Sequence, residues 1–167
     1  MSRFEVRRAR TSDVSGILAV VDPYVNERIL LGKERVEFYE AIPEFRVAVD
    51  DSGRIVGCGA LHVMWEDLGE VRTLAVAADW RGTGVGHALL EALIEDARGL
   101  GLSRLFCLTF ETDFFAAHGF GEMGAETVSP ELYAELLRSH DEGVAEFLDL
   151  ARVKQNTLGN SRMIRHL

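Results

Sequence analysis

Leu74-Ala75-Val76 ends an apolar run, and five residues on Arg81-Gly82-Thr83-Gly84-Val85-Gly86 opens a segment in which Val85, Ala88, Leu89, Ala92, Leu93 and Ala97 recur at helical spacing. A strand, a turn with three glycines and a helix start form a physical recipe for gripping phosphate. The first N–H groups of the helix have no intrahelical partner, the helix dipole favours negative charge, and glycine lets backbone approach the ligand closely. Two phosphate-binding patterns fail here. No Gly-Lys-Ser/Thr occurs anywhere in the chain, so a Walker loop is excluded. A dinucleotide fingerprint counted from Gly82 meets His87, and one counted from Gly84 meets Leu89, where glycine or alanine is required.

Outward from this turn, the chain alternates in short units. Phe4, Val6 and Arg7 to Ala9 read as a first strand, Thr11-Ser12-Asp13 supply helix caps, and the helix that follows is expected to run to about Val21 and be closed by Pro23. A second helix is expected from Lys33 to Ala41, stopped by Pro43. Strands Phe45–Val49 and Arg54–Val63 flank the turn Asp50-Asp51-Ser52-Gly53, and Glu66-Asp67-Leu68-Gly69 turns the chain into a strand Glu70–Val76. Beyond the glycine turn, Gly99 and Gly101 end the long helix and Arg104–Phe110 is a mostly apolar strand. A short helix from Thr112 or Asp113 through His118, a break at Gly119-Phe120-Gly121, a helix from about Pro130 to Arg138 and a final strand at Ser161–Leu167 complete the expectation.

Composition narrows the class. The 167 residues, 47% apolar and 27% charged, suit one soluble globular domain spanning 1–167. Eighteen basic against 27 acidic residues leave a net charge of −9, which argues against nucleic acid as a partner and requires any anionic ligand to be held locally. Cys58 and Cys107 lack metal or disulfide spacing, and no metal site is expected. No apolar run is long enough for a signal peptide or a membrane span, and Asn26, Asn156 and Asn160 lack glycosylation sequons; the expected location is the cytoplasm.

Arg81-Gly82-Thr83-Gly84-Val85-Gly86 resembles the acetyl-CoA signature Arg/Gln-x-x-Gly-x-Gly/Ala of the GCN5-related N-acetyltransferases (GNAT), and the element order is similar to that fold. The resemblance implies an α/β (α+β type) domain with a central twisted, mixed, mainly antiparallel sheet of about six to seven strands and helices on both faces. It implies acetyl-CoA as cosubstrate, with Gly82, Thr83, Gly84, Val85 and Gly86 holding the pyrophosphate beside Arg81, and Leu74, Ala75 and Val76 pairing with the pantetheine as a neighbouring strand would. Further segments, among them Arg7-Arg8-Ala9-Arg10-Thr11-Ser12-Asp13, Ile29-Leu30-Leu31-Gly32-Lys33 and Cys58-Gly59-Ala60-Leu61, resemble the bacterial N-acetylglutamate synthases of arginine biosynthesis, the short actinobacterial type above all. What this implies is acetyl transfer to the α-amino group of L-glutamate or a similar amino acid, by a homodimer. It also implies an acetyltransferase without the amino-acid-kinase-like domain of longer synthases, the usual seat of arginine feedback.

The chemistry has requirements of its own. An amino acid's amine is mostly protonated at neutral pH and needs a base, and Glu70, six residues before Val76, has the position that the family gives its base glutamate. A solvated glutamate after a turn is the alternative. Regular alternation would put Glu70, Arg72 and Leu74 on one face of the strand. A distorted stretch of Leu74–Val76 could offer an N–H to the oxyanion. Where the family carries a Tyr acid, four residues before the Gly of a Gly-Phe pair, this chain has Phe115; the thiol of CoA can leave as thiolate, and Phe115 is read first as core, with an edge expected to line the pantetheine. His118 and Tyr133 are fallback acids, read first as a cap and a packing residue, and Phe110 and Phe114 are read first as core. Arg72 is the expected clamp for the substrate carboxylates, with Lys33 and Arg35 in the segment over the acceptor site. Lys33 is one of only two lysines, with Lys154, which makes it noticeable. Two other readings remain open: acetylation of glutamine, a protein N-terminus or a lysine, and a catalytically silent acyl-CoA sensor.

Overall fold

The computed structural model of the chain describes residues 3–30, 32–123, 129–148 and 161–167. Leu31 of the synthase-like stretch, Lys154, Asn156 and Asn160 lie outside the described residues. The elements are β1 (Phe4–Arg8), α1 (Val14–Asn26), α2 (Arg35–Ala41), β2 (Phe45–Asp50), β3 (Ile55–Val63), β4 (Leu68–Val76), α3 (Val85–Leu100), β5 (Arg104–Thr109), α4 (Thr112–Ala116), β6 (Gly121–Glu122), α5 (Pro130–Leu136), α6 (Glu142–Phe147) and β7 (Ser161–His166). They fall into two compact units, residues 1–62 with 71–100 and residues 63–70 with 101–167. Strand β4 contributes to both. The seven strands form the mixed sheet expected for an α/β chain, with β1, β2 and β3 antiparallel in the first unit and β5 parallel to the start of β4 in the second.

In the first unit the strand period sorts the core. Val47 of β2 joins Val14, Ile17, Val21, Phe38 and Ala75 on one face, and its neighbour Ala48 joins Val56, Trp80, Val85 and Leu89 on the other. Helices α1 and α2 therefore cover one face and α3 the other. α3 lies so close to β3 that a Cβ on Gly57 would stand 2.7 Å from Val85 Cγ1, and one on Gly59 would stand 3.0 Å from Leu93 Cδ1. Glycines inside a buried strand here make room for a helix, at the usual entropic cost. Arg46 of β2 makes a bidentate pair with Asp96 of α3 at 2.6 and 2.8 Å. Asp13 ties β1 to the start of α1 by accepting from the Arg10 N–H at 2.7 Å and from both Arg7 nitrogens at 2.7 and 3.0 Å.

In the second unit, β5 pairs with β4 over Leu68↔Arg104 to Glu70↔Phe106, and β7 lies between β5 and β6. Leu68, Phe106, Leu136, Val144 and Phe147 build its core with Met64.

Several expected boundaries move. Pro23 does not close α1, which continues to Asn26. The ring removes the bond that would reach back to Ala19, but both residues are exposed, which leaves that carbonyl open to solvent, and the Glu27 N–H still bonds the Pro23 carbonyl at 3.2 Å. β1 ends at Arg8, α2 starts at Arg35, β4 starts at Leu68 and β5 stops at Thr109. Phe110, just beyond β5, is 40% exposed and is not core, because no sheet neighbour covers it after the strand ends. β6 and α6 were not expected. α6 starts where the Asp141 carboxylate accepts from the Gly143 and Val144 N–H groups at 2.8 and 3.2 Å.

Candidate functional site

β4, which holds Glu70 and Arg72, is not a regular strand. Thr73 has φ 54°, a left-handed conformation that a β-branched residue adopts only under constraint. Its carbonyl accepts from the Cys58 thiol of β3 at 3.4 Å. In a trans peptide the N–H points opposite to the C=O, so the Leu74 N–H is aimed at the strand edge away from β3. The expected distortion thus falls one residue earlier than the Leu74–Val76 stretch and presents one of its N–H groups. A left-handed residue also interrupts the period of two. Leu74 packs on the α3 side, where its Cδ1 comes within 2.9 Å of a Cβ placed on Gly59, while Ala75 joins the α1 and α2 core. Thr73 lies between Arg72 and Leu74 of the group expected on one face.

Glu70 is buried, 6% exposed, in ladder register with Phe106. A solvated glutamate after a turn is excluded by that burial. Next to Phe106, burial first and the Glu70 charge second push the Cys107 thiol well above its ordinary range. Burial alone pushes the Cys58 thiol up to about 12, so neither sulfur is a nucleophile at neutral pH. Arg72 and Lys33 are half-buried and each has an interaction partner. Arg35 is exposed and reaches Ser15 of α1 at 3.3 Å.

After β4, the turn takes the form its glycines allow. Gly82 and Gly84 have φ 75° and 91°, with no atom within 4 Å of an added Cβ at either position. The Thr83 hydroxyl donates to the Trp80 carbonyl and braces the turn from within. Ala88 N–H bonds Gly84 at 3.0 Å as the helix begins, so the N–H groups of Val85, Gly86 and His87 precede the first α3 bond. These groups, with the exposed backbone of residues 82–84, give the head of α3 the donors and dipole that an anion such as phosphate requires.

Arg81, at the head of that turn, is engaged by Tyr24 of α1. Its Nε and Nη2 donate to the Tyr24 hydroxyl at 3.0 and 2.8 Å, and its guanidinium carbon lies 5.1 Å from the centre of the Tyr24 ring. Tyr24 itself donates to the Val76 carbonyl at 2.6 Å. No local pattern announced Tyr24 or Cys58 as site residues, since their targets lie 52 and 15 positions along the chain.

In the second unit, Phe115 is buried, with edge-to-face contacts to Phe114 at 5.2 Å and Phe120 at 5.2 Å. It packs an aromatic cluster. His118 Nδ1 lies 2.8 Å from the Phe114 carbonyl, four residues back, and its ring rests on Phe114. Tyr133 sits on the surface of α5, 40% exposed, rather than in the core. Among the described residues no helix is long and apolar enough to cross a membrane.

Three comparisons bear on this arrangement. The model of the acetyltransferase (GNAT) family matches residues 20–125. An amino-acid acetyltransferase of Mycobacterium tuberculosis is 56% identical over 161 residues, which cover 95% of this chain and 92% of that protein. Among solved structures, a Mycobacterium tuberculosis protein in complex with CoA and NLQ superposes with a TM-score of 0.93 at 56% identity, over 98% of this chain and 99% of that one. The N-acetylglutamate synthase of Neisseria gonorrhoeae, complexed with coenzyme A and N-acetyl-glutamate, superposes with a TM-score of 0.78 at 28% identity; this chain is covered completely but spans only 36% of that protein.

Proposed function

The chain belongs to the acetyltransferase (GNAT) family, and from that premise we propose that it transfers the acetyl group of acetyl-CoA to the α-amino group of L-glutamate. The observation that carries acyl transfer is Thr73: its φ of 54° and its bond to Cys58 aim the Leu74 N–H away from β3, where an oxyanion donor is needed. Glutamate as acceptor is supported by the gonococcal synthase, which was captured with coenzyme A and N-acetyl-glutamate.

Acetyl-CoA lies along β4, its pyrophosphate on the N–H groups of Gly82 to Gly86 and its pantetheine amides on the edge that carries Leu74 and Val76. The glutamate ammonium gives its proton to Glu70 through a water, and the neutral nitrogen attacks the thioester carbon. The carbonyl oxygen takes up negative charge and receives the Leu74 N–H, a contact worth about 3 kcal/mol in comparable sites. The C–S bond then breaks, and CoA leaves as thiolate, which a thiol of pKa near ~8.5 permits without a tyrosine acid. The attacking nitrogen, cationic after the attack, gives up one of its two remaining protons to solvent water as it becomes the amide. Arg72 clamps a carboxylate of glutamate, and Lys33 and Arg35 border the acceptor from the α1 to α2 segment.

The chain works in this scheme as one acetyltransferase domain, as a homodimer in the cytoplasm. Light scattering reads the oligomeric state.

A thiol-release assay with acetyl-CoA and a panel of amino acids and peptides tests the proposal. Turnover with glutamate and not with peptides is expected. Glu70→Gln should lower kcat about 10²–10⁴-fold and remove the rising limb of its pH profile, and Arg72→Ala should raise KM for glutamate while leaving that for acetyl-CoA nearly unchanged. Turnover with another amine in place of glutamate would overturn the acceptor. CoA binding without turnover on any amine would favour a sensor.

A further inference from the structure

Val76 is the last residue of β4, and its carbonyl lies on the edge away from β3, because the N–H of the same peptide, on Ala77, bonds Val56 of β3 at 2.8 Å. That carbonyl receives the Tyr24 hydroxyl at 2.6 Å, across 52 residues of sequence. A phenol has one proton to give and lone pairs to accept with. Tyr24 spends the proton on Val76 and accepts from Arg81 Nε at 3.0 Å and Nη2 at 2.8 Å, and its ring lies under the same guanidinium at 5.1 Å. One hydroxyl thus joins the end of the strand to the cation at the head of the glycine turn. Tyr24 and Arg81 both line an open groove of about 510 Å³, whose walls include Gly16, Val20, Ile55 and Ala77. The Tyr24 and Arg81 members of the junction are thus open to this groove.

We propose that Tyr24 is a positioning residue for acetyl-CoA, holding the Val76 carbonyl and the Arg81 guanidinium at a fixed spacing so that pantetheine and pyrophosphate engage together. This rests on acetyl-CoA being the cosubstrate. A free arginine samples many rotamers, and the fork on Tyr24 selects one; the Val76 carbonyl, held by the phenol, keeps its second lone pair for a pantetheine amide. The docked Arg81 then adds its charge where the pyrophosphate meets the turn, which a chain with a net charge of −9 has to supply locally.

Calorimetric titration of the full chain with CoA, alongside steady-state kinetics, separates this from a packing role. Tyr24→Phe keeps the ring and loses the hydroxyl; it should weaken CoA binding about tenfold and raise KM for acetyl-CoA similarly, with kcat at saturation moving less than twofold. Arg81→Lys keeps the charge and loses the fork, and should weaken CoA about as much. The double variant should lose no more than either single one. Unchanged CoA affinity in Tyr24→Phe, or losses that multiply in the double variant, would overturn the role of Tyr24. Should Tyr24→Phe fail to fold, Arg81→Lys decides alone: unchanged CoA affinity means that charge suffices and the fork does nothing. A wild-type chain that binds no CoA would overturn the cosubstrate itself, whereas normal wild-type binding with an unmoved Tyr24→Phe removes only this inference.

Discussion

Replacing Thr73 by glycine should leave the protein as stable or more stable, yet slower. A β-branched residue at φ 54° carries about 1–3 kcal/mol of conformational strain. Glycine removes that strain but costs ~0.5–1 kcal/mol in unfolded-chain freedom, and the half-buried methyl it deletes contributes about 0.4 kcal/mol, half the value of a fully buried one. The balance is about 0–2 kcal/mol in favour of glycine, a rise in Tm of about 0–8 °C at roughly 2–4 °C per kcal/mol for a chain of this size. Catalysis should move the other way. The strained residue and the Cys58 thiol at 3.4 Å hold the peptide that bears the Leu74 N–H. Loss of an oxyanion donor costs about 10²–10³ in kcat, and a loosened donor should cost about tenfold. Thr73→Ala, which keeps the strain and loses only side-chain contact, should lower Tm and slow kcat less than glycine does. Thermal unfolding by circular dichroism and kcat at saturating acetyl-CoA measure both halves. If Thr73→Gly lowers Tm by more than about 4 °C and keeps full kcat, the strained peptide is neither strained nor catalytic.

Other expectations follow from single contacts. Gly84→Ala places a Cβ at φ 91° with no atom within 4 Å to clash, so its cost is conformational, about 1–2 kcal/mol; Tm should fall and CoA affinity drop more than tenfold, both readable in one calorimetric series. Arg7 holds the Asp13 carboxyl below its ordinary 3.8, so its contribution is complete above about pH 4 and fades as pH falls through the lowered value. Asp13→Asn should therefore be less stable at neutral pH and lose less stability as the pH is lowered below about 4 in urea titrations. Cys58, pushed up to about 12, and the buried Cys107 should both ignore a disulfide reagent at pH 8 in the native protein and react on unfolding. One rapid native thiol would contradict their burial.

Much of the fold was legible because it is written in local spacing. The period of 3.6 from Val85 to Ala97 and the glycines at 82 and 84 define a strand, turn and helix within some twenty residues, and positive φ at both glycines is what such a turn demands. Pro23 misled because proline's rule concerns the bond it removes, and at an exposed helix face the carbonyl left without that bond is open to solvent. α6 was readable in retrospect from Asp141 as cap and Val144 and Phe147 as its apolar side, a pattern of barely two turns. The site was legible where a residue's role follows from its place on β4, as with Glu70, and illegible where it depends on tertiary contact. Nothing near Thr73 announces a left-handed residue, since threonine is a strand former and the constraint comes from Cys58 on β3. Tyr24, the single aromatic of α1, carries no local signal of its role, and only the folded chain sets it against Val76 and Arg81.

Mass spectrometry of the reaction between acetyl-CoA and glutamate labelled with ¹⁵N at the α-amino group tests the central claim most directly. The account predicts N-acetylglutamate with the acetyl group on the labelled nitrogen, formed mole for mole with free CoA and abolished by Glu70→Gln. Free CoA with unmodified glutamate, or acetyl groups recovered only on another amine, would contradict it.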